Sequence, residues 1–166
     1  MCDGNGFYDA ARCQAYVIIR FRGKTVIPEE ITAQLGIVPM HVYHIGDAYQ
    51  YIKGFTKYAE WSFRTAEREI CDTAEVFEDF MTVLKDKTDV INEIKRKYAD
   101  CESSVYIVVS NRQALLPSFT TPAEQVAFLA SIGEGLYHDV YHTAVRYDED
   151  GNEIGDEDGD SILQSK

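Results

Sequence analysis

The sequence is short of basic residues: 16 lysines and arginines stand against 28 aspartates and glutamates, a formal net charge of −12 over 166 residues. Proteins that hold DNA or RNA phosphates present a basic face, so this balance argues against direct nucleic-acid binding. The acidity is uneven, because residues 148–160 hold eight carboxylates and no base. We therefore expect the rest of the surface to carry mixed charge.

Long hydrophobic runs are also absent. No stretch approaches the roughly 18 apolar residues that a membrane-spanning helix needs, and the first residues lack the basic and apolar segments of a secretory signal. The four cysteines include no C-x-x-C pair, and a reducing cytosol keeps thiols unpaired. We therefore expect a cytoplasmic protein with unpaired cysteines and no membrane association.

Motifs that carry catalysis or cofactor binding are missing as well: the sequence has no G-x-S-x-G, G-x-G-x-x-G, phosphate loop or H-E-x-x-H. On strands, His41 and His44 would point to opposite faces, and His138 and His142 would lie roughly 13 Å apart. Zinc ligands instead converge at about 2.0–2.3 Å from the ion. We predict no catalytic residues, no metal and no cofactor, and we lean away from an enzyme.

Hydrophobic patterning predicts both strands and helices. Residues 15–22 alternate like a half-buried strand with two arginines outward, and residues 74–98 carry a helical apolar stripe with a polar break near 86–89. The other predicted elements are strands over 40–45, 61–66, 104–110 and 136–145 and helices over 28–35 and 121–132. This order predicts an α+β fold, with an antiparallel or mixed sheet of about five strands and helices packed on one face.

The length favours a single domain. Residues 1–13 form an N-terminal lead-in, residues 14–146 the α+β domain, and residues 147–166 an acidic tail with the composition of a disordered segment. A hairpin turn at residues 148–152, extending the last strand, is the alternative for the start of the tail.

Aromatic residues cluster between residues 43 and 61. Tyrosine and tryptophan serve a core or an interface, because each has an apolar body and a polar tip. An arginine and a histidine beside aromatic rings can hold an anionic ligand. The candidate binding residues are therefore Tyr43, His44, Asp47, Trp61 and Arg64.

Several segments carry a family resemblance. The strand AYVIIRFRG, residues 27–39, the turn Gly46-Asp47 and residues 61–65 occur in this order, followed by the long helix and the strand over 105–110. They resemble the bacterial domain-of-unknown-function family 4279 over residues 14–144, although His44 and Ile45 occupy the region where the family has a tryptophan before Gly-Asp. The resemblance implies a compact α+β domain without assigned catalytic residues. Some domains of this general kind occur in toxin-immunity or phage-conflict settings.

Our leading hypothesis is a non-enzymatic domain that binds another protein, with a basic protein as one form of partner, in an immunity-like or phage counter-defence role. The alternative is a domain that binds a small anionic ligand, or a weak enzyme, with a pocket near Trp61 and Arg64. A homo-oligomeric structural protein is the third interpretation.

Overall fold

The computed structural model describes residues 13–49, 53–111, 116–142, 146–147 and 153–154. In chain order the elements are β1 (Cys13–Gly23), α1 (Pro28–Leu35), β2 (His41–Tyr43), β3 (Ala59–Arg64), β4 (Arg68–Ile70), α2 (Thr73–Leu84), α3 (Thr88–Lys97), β5 (Glu102–Asn111), α4 (Ala123–Ser131), β6 (Leu136–His142), β7 (Arg146–Tyr147) and β8 (Glu153–Ile154). These elements confirm the predicted α+β class.

Six strands form one mixed sheet in the order β2-β3-β1-β5-β6, and β4 pairs with the first residues of β1. All pairings are antiparallel except that of β5 with β6, which is parallel. The central strand β1 pairs with β5 over ten residues and with β3 over six. The sheet has one strand more than expected because β4 has only three residues, too few to show an alternating pattern.

The helices pack on one face of the sheet, as predicted. Alternate residues of β1 are fully buried, from Cys13 to Phe21, and they join the apolar stripes of the helices in one core. Within that core Phe77 and Phe80 of α2 contact Phe128 of α4, with ring centroids 6.5 and 6.2 Å apart. The opposite face of the sheet receives none of these helical side chains.

The predicted long helix is two helices, α2 and α3, separated by a 3-10 turn at Lys85–Lys87. The turn falls in the polar stretch that interrupts the apolar stripe. At the start of α2 the Asp72 carboxylate accepts the Ala74 amide at 2.8 Å, and Glu75 reaches back to the Asp72 amide at 3.2 Å. This capping box satisfies backbone donors that the first helical turn leaves open.

Of the acidic tail, the structure describes only part. β7 and β8 pair antiparallel, in keeping with the hairpin alternative, while the rest of the tail and residues 1–12 lie outside the described residues. Cys71 is disulfide-bonded, so the expectation of unpaired cysteines is wrong at this position. The reason is that the spacing of cysteines in the sequence does not show which of them the fold brings together. None of the described helices combines the length and hydrophobicity needed to cross a membrane.

Candidate functional site

The face of the sheet opposite the helices, here called the open face, carries a polar and aromatic set of side chains. The strand register puts alternate residues of each strand on it. They are His41 and Tyr43 of β2, Glu60, Ser62 and Arg64 of β3, Gln14, Tyr16, Ile18, Arg20 and Arg22 of β1, Glu69 of β4, Glu102, Ser104, Tyr106, Val108 and Ser110 of β5, and Tyr137, Asp139 and Tyr141 of β6. Its polar composition differs sharply from that of the apolar core on the other side.

Three arginines on the β1–β3 half of the open face each lie over a tyrosine ring. The guanidinium carbon is 5.3 Å from the ring centroid for Arg20 over Tyr106, 4.3 Å for Arg22 over Tyr58, and 4.8 Å for Arg64 over Tyr16. Arg20 Nη2 also donates to the Tyr106 hydroxyl at 3.1 Å. Each of these cation–π contacts holds a guanidinium against a tyrosine ring and leaves N–H groups for an acceptor.

Within the described part of the chain, none of these three guanidiniums has a carboxylate oxygen within 4.0 Å, whereas Arg68, Lys95 and Lys97 all form ion pairs. The direct cross-strand neighbours of Arg20 are serines, and that of Arg64 on β1 is an isoleucine. Arg22, in contrast, lies opposite a carboxylate on both neighbouring strands, Glu60 of β3 and Glu102 of β5. The open face is therefore locally positive around Arg20 and Arg64, on a strongly acidic chain.

A cavity of about 350 Å³ opens on the same face. Ile18 of β1 and Val108 of β5 contribute apolar surface to the cavity. Arg20, also on β1, contributes a positive charge to its lining. Ser62 lines the cavity on the β3 side and Asp139 on the β6 side. An apolar floor with a few separated polar groups is typical of a small-molecule site.

The structure does not bring the five sequence-predicted site residues together. Trp61 is fully buried on the core face, where its Nε1 donates to Thr32 Oγ1 at 3.0 Å. Arg64 is exposed on the open face, over Tyr16. The backbone of β3 therefore separates Trp61 from Arg64, because successive side chains of a strand point to opposite faces.

His44 and Asp47 lie in the loop between β2 and β3, and His44 connects this loop to α1. His44 Nε2 is 2.8 Å from Glu29 Oε1 of α1, and the His44 amide donates to Asp47 Oδ2 at 2.6 Å. The hydrogen bond to Glu29, together with the Asp47 carboxylate, raises the pKa of His44 above its ordinary value. Tyr43 is half-buried on the open face, with its ring centroid 6.3 Å from that of Tyr49.

Sequence reasoning placed Arg20 and Arg22 on an outward strand face but missed the residues that complete the site. Tyr106 and Asp139 come from β5 and β6, and Tyr106 lies 86 positions after Arg20. Alternation along β5 gave the correct face for Tyr106, yet nothing in the sequence states that β5 pairs with β1. That pairing creates both the arginine–tyrosine stack and the cavity.

The described residues offer little for covalent chemistry. No three histidine, cysteine, aspartate or glutamate side chains within them are placed to share a metal ion. The free thiol of Cys101 has its pKa raised to about 11 by burial, which leaves almost no thiolate near neutral pH.

Comparison with family models matches residues 13–143 to the family described as Domain of unknown function (DUF4279), which confirms the resemblance noted from the sequence. Comparison with curated proteins finds no match, and comparison with solved structures finds none either. The matched range runs from the first residue of β1 to one residue past β6, so it includes the whole six-stranded sheet. This chain belongs to the DUF4279 family of domains of unknown function.

Proposed function

We propose that this chain is a non-enzymatic binding domain that holds an acidic segment of another protein on its open face. The observation that carries the proposal is the set of three arginines, each stacked on a tyrosine and none ion-paired within the described residues. Carboxylates are abundant in a chain with a net charge of −12, yet none of the described carboxylates forms an ion pair with these three arginines. Their guanidiniums can therefore bind the carboxylates of another molecule.

The chemistry of the arginines favours carboxylates as the bound groups. A guanidinium offers parallel N–H donors that match the two oxygens of a carboxylate. Stacking on a tyrosine fixes the long side chain beforehand, which lowers the entropy lost when a partner binds. Tyrosine and arginine are also the residue types that contribute most at protein interfaces.

The whole-chain charge leads to the expectation of a basic partner, whereas the local charge of the open face supports an acidic one. A basic partner would have to bind elsewhere on the surface. The proposal keeps the immunity-like or phage counter-defence role expected from the sequence, in which the domain acts by covering part of its partner, but it does not keep the cytoplasmic location. The disulfide at Cys71 is more typical of an oxidising compartment.

The test measures binding of a fluorescent hexaglutamate peptide by anisotropy at about 0.15 M salt, where the Debye length is about 8 Å. The variant Arg20→Gln/Arg64→Gln should weaken binding at least about tenfold, since it removes two charge-assisted contacts. The control is Lys85→Gln/Arg96→Gln, which likewise removes two positive charges, from the helical side of the molecule. It should bind within about twofold of the wild type, because surface charges are largely screened beyond a Debye length.

Three results would contradict the proposal. The first is an equal loss in the double variant and the control, which would mean that only net charge matters. The second is tighter binding of hexalysine than of hexaglutamate by the wild-type protein. The third is an oligothymidylate of the same charge that binds through Arg20 and Arg64 as tightly as hexaglutamate does. That result would show that the open face binds nucleic acid.

A further inference from the structure

Among the charged side chains that line the cavity on the open face, Arg20 and Asp139 are of opposite sign and do not neutralise each other. Arg20 has no carboxylate within 4.0 Å among the described residues. Asp139 has no basic partner within that part of the chain, and its carboxylate accepts one hydrogen bond, from the Tyr141 hydroxyl at 2.9 Å. Both residues line the cavity, which therefore has a cationic and an anionic end.

The strand register gives the distance between these ends. Asp139 lies opposite Val108, which lies opposite Tyr16, so Asp139 is two strands across and four residues along from Arg20. At about 4.8 Å per strand and 3.3 Å per residue, the Cα atoms are roughly 16 Å apart. Arg20 extends towards β5, where it meets the Tyr106 hydroxyl, so the gap between the charged groups is shorter.

Glu60 is the other carboxylate of the cavity, and it is the weaker candidate for a cation. Its cross-strand neighbour is Arg22, whose positive charge reduces the local negative potential. The cross-strand neighbour of Asp139 is Val108, and its nearest neighbours along the same face of β6 are Tyr137 and Tyr141. Among the described residues, Asp139 is therefore the cavity carboxylate with no basic residue as a direct neighbour in the sheet.

We propose that the cavity binds a small zwitterion of the length of a dipeptide or tripeptide with free ends, its carboxylate on Arg20 and its ammonium on Asp139. The apolar surface of Ile18 and Val108 lies between the two ends and suits the uncharged middle of such a ligand. The volume of about 350 Å³ is within the range of small-molecule sites, roughly 300–1,000 Å³. This site uses Arg20 of the proposed protein-binding face, but it does not require a protein partner.

The test uses trialanine with free ends, its N-acetylated form and its C-terminal amide, titrated into the labelled protein and followed by two-dimensional NMR. Free trialanine should shift the amide signals around Tyr106 and Asp139 in a saturable way. Blocking either end should weaken binding about tenfold, because each block removes one charge-assisted contact and leaves a charged group without its partner.

Single variants assign each end of the ligand to its residue. Arg20→Gln should bind the amide and the free peptide equally well while still discriminating against the acetylated form. Asp139→Asn should show the reverse pattern. Glu60→Gln is the matched control, a neutralised carboxylate of the same cavity, and it should discriminate against both blocked peptides like the wild type. Circular dichroism confirms that each variant is folded.

Absence of saturable shifts with trialanine would overturn this inference, as would equal affinity for free and blocked peptides. Loss of discrimination against the acetylated form in Glu60→Gln would also overturn it, because the ammonium would then lie at the other carboxylate. None of these results alters hexaglutamate binding through Arg20 and Arg64. The failure of the zwitterion site and the failure of the protein-binding face are thus separate outcomes.

Discussion

Replacing Trp61 tests whether this residue belongs to the core or to a binding pocket. Its side chain is fully buried, its ring centroid lies 5.8 Å from that of Phe21, and its Nε1 donates to Thr32 Oγ1 at 3.0 Å. Trp61→Ala should lower the free energy of unfolding by about 3–5 kcal/mol, the cost of a large cavity. Trp61→Phe keeps a ring but loses the hydrogen bond and part of the volume, so we expect about 2 kcal/mol.

Urea denaturation followed by far-UV circular dichroism measures these changes. Thr32→Val removes this hydrogen bond and also the one that Thr32 Oγ1 donates to the Pro28 carbonyl at 3.1 Å, and it should cost about 1 kcal/mol. The double variant with Trp61→Phe isolates the bond to Trp61, because its loss should be smaller than the sum of the two single losses. The wild-type protein provides a further check, because Trp61 is its only tryptophan. Its fluorescence should resist quenching by acrylamide.

A stable Trp61→Ala protein would refute the assignment of Trp61 to the core. So would a Trp61→Phe variant that unfolds at the wild-type urea concentration but loses hexaglutamate binding, because this residue would then serve the ligand. We expect Trp61→Phe to keep its affinity for hexaglutamate, since the open face lies on the other side of β3.

Three further measurements test single contacts. Asp72→Ala should lower the free energy of unfolding by about 1–2 kcal/mol, because it removes the cap of α2, whereas Glu78→Ala on the exposed side of the same helix should change it little. NMR titration should give His44 a pKa above 6.5, and this pKa should fall in Glu29→Gln. Protonated His44 then stabilises the folded protein fully below about pH 6.5, and this stabilisation is lost as the pH rises through the raised pKa. Unchanged titration in Glu29→Gln would contradict the contact. Cys101, whose pKa burial raises to about 11, should be alkylated far more slowly in the folded than in the unfolded protein, and equal rates would show that the thiol is exposed.

The sequence was a good guide to elements whose signals are local. The alternation of β1 and the apolar stripe of α2 and α3, with its polar break, each depend on neighbouring residues, and each was predicted. The three-residue strand β4 has no such signal. The disulfide at Cys71 depends on residues brought together by the fold, so spacing alone gave the opposite expectation.

The site was harder to predict because it depends on pairing between distant strands. An aromatic cluster near Trp61 and Arg64 indicated a binding region, but the period of a strand puts these two residues on opposite faces, one in the core and one on the surface. The tyrosines that hold Arg20 and Arg64 come from β5 and β1. Only the antiparallel register of β1 with β3 and β5 shows that the arginines share one face.

The most direct test of the central claim is to map hexaglutamate binding on the labelled protein by two-dimensional NMR. The account predicts that the largest shift changes fall on the open face, at Tyr16, Arg20, Ser62, Arg64 and Tyr106, and that they disappear in Arg20→Gln/Arg64→Gln. Shift changes concentrated on the exposed sides of α2, α3 and α4, or unchanged in the double variant, would show that the open face is not the binding surface.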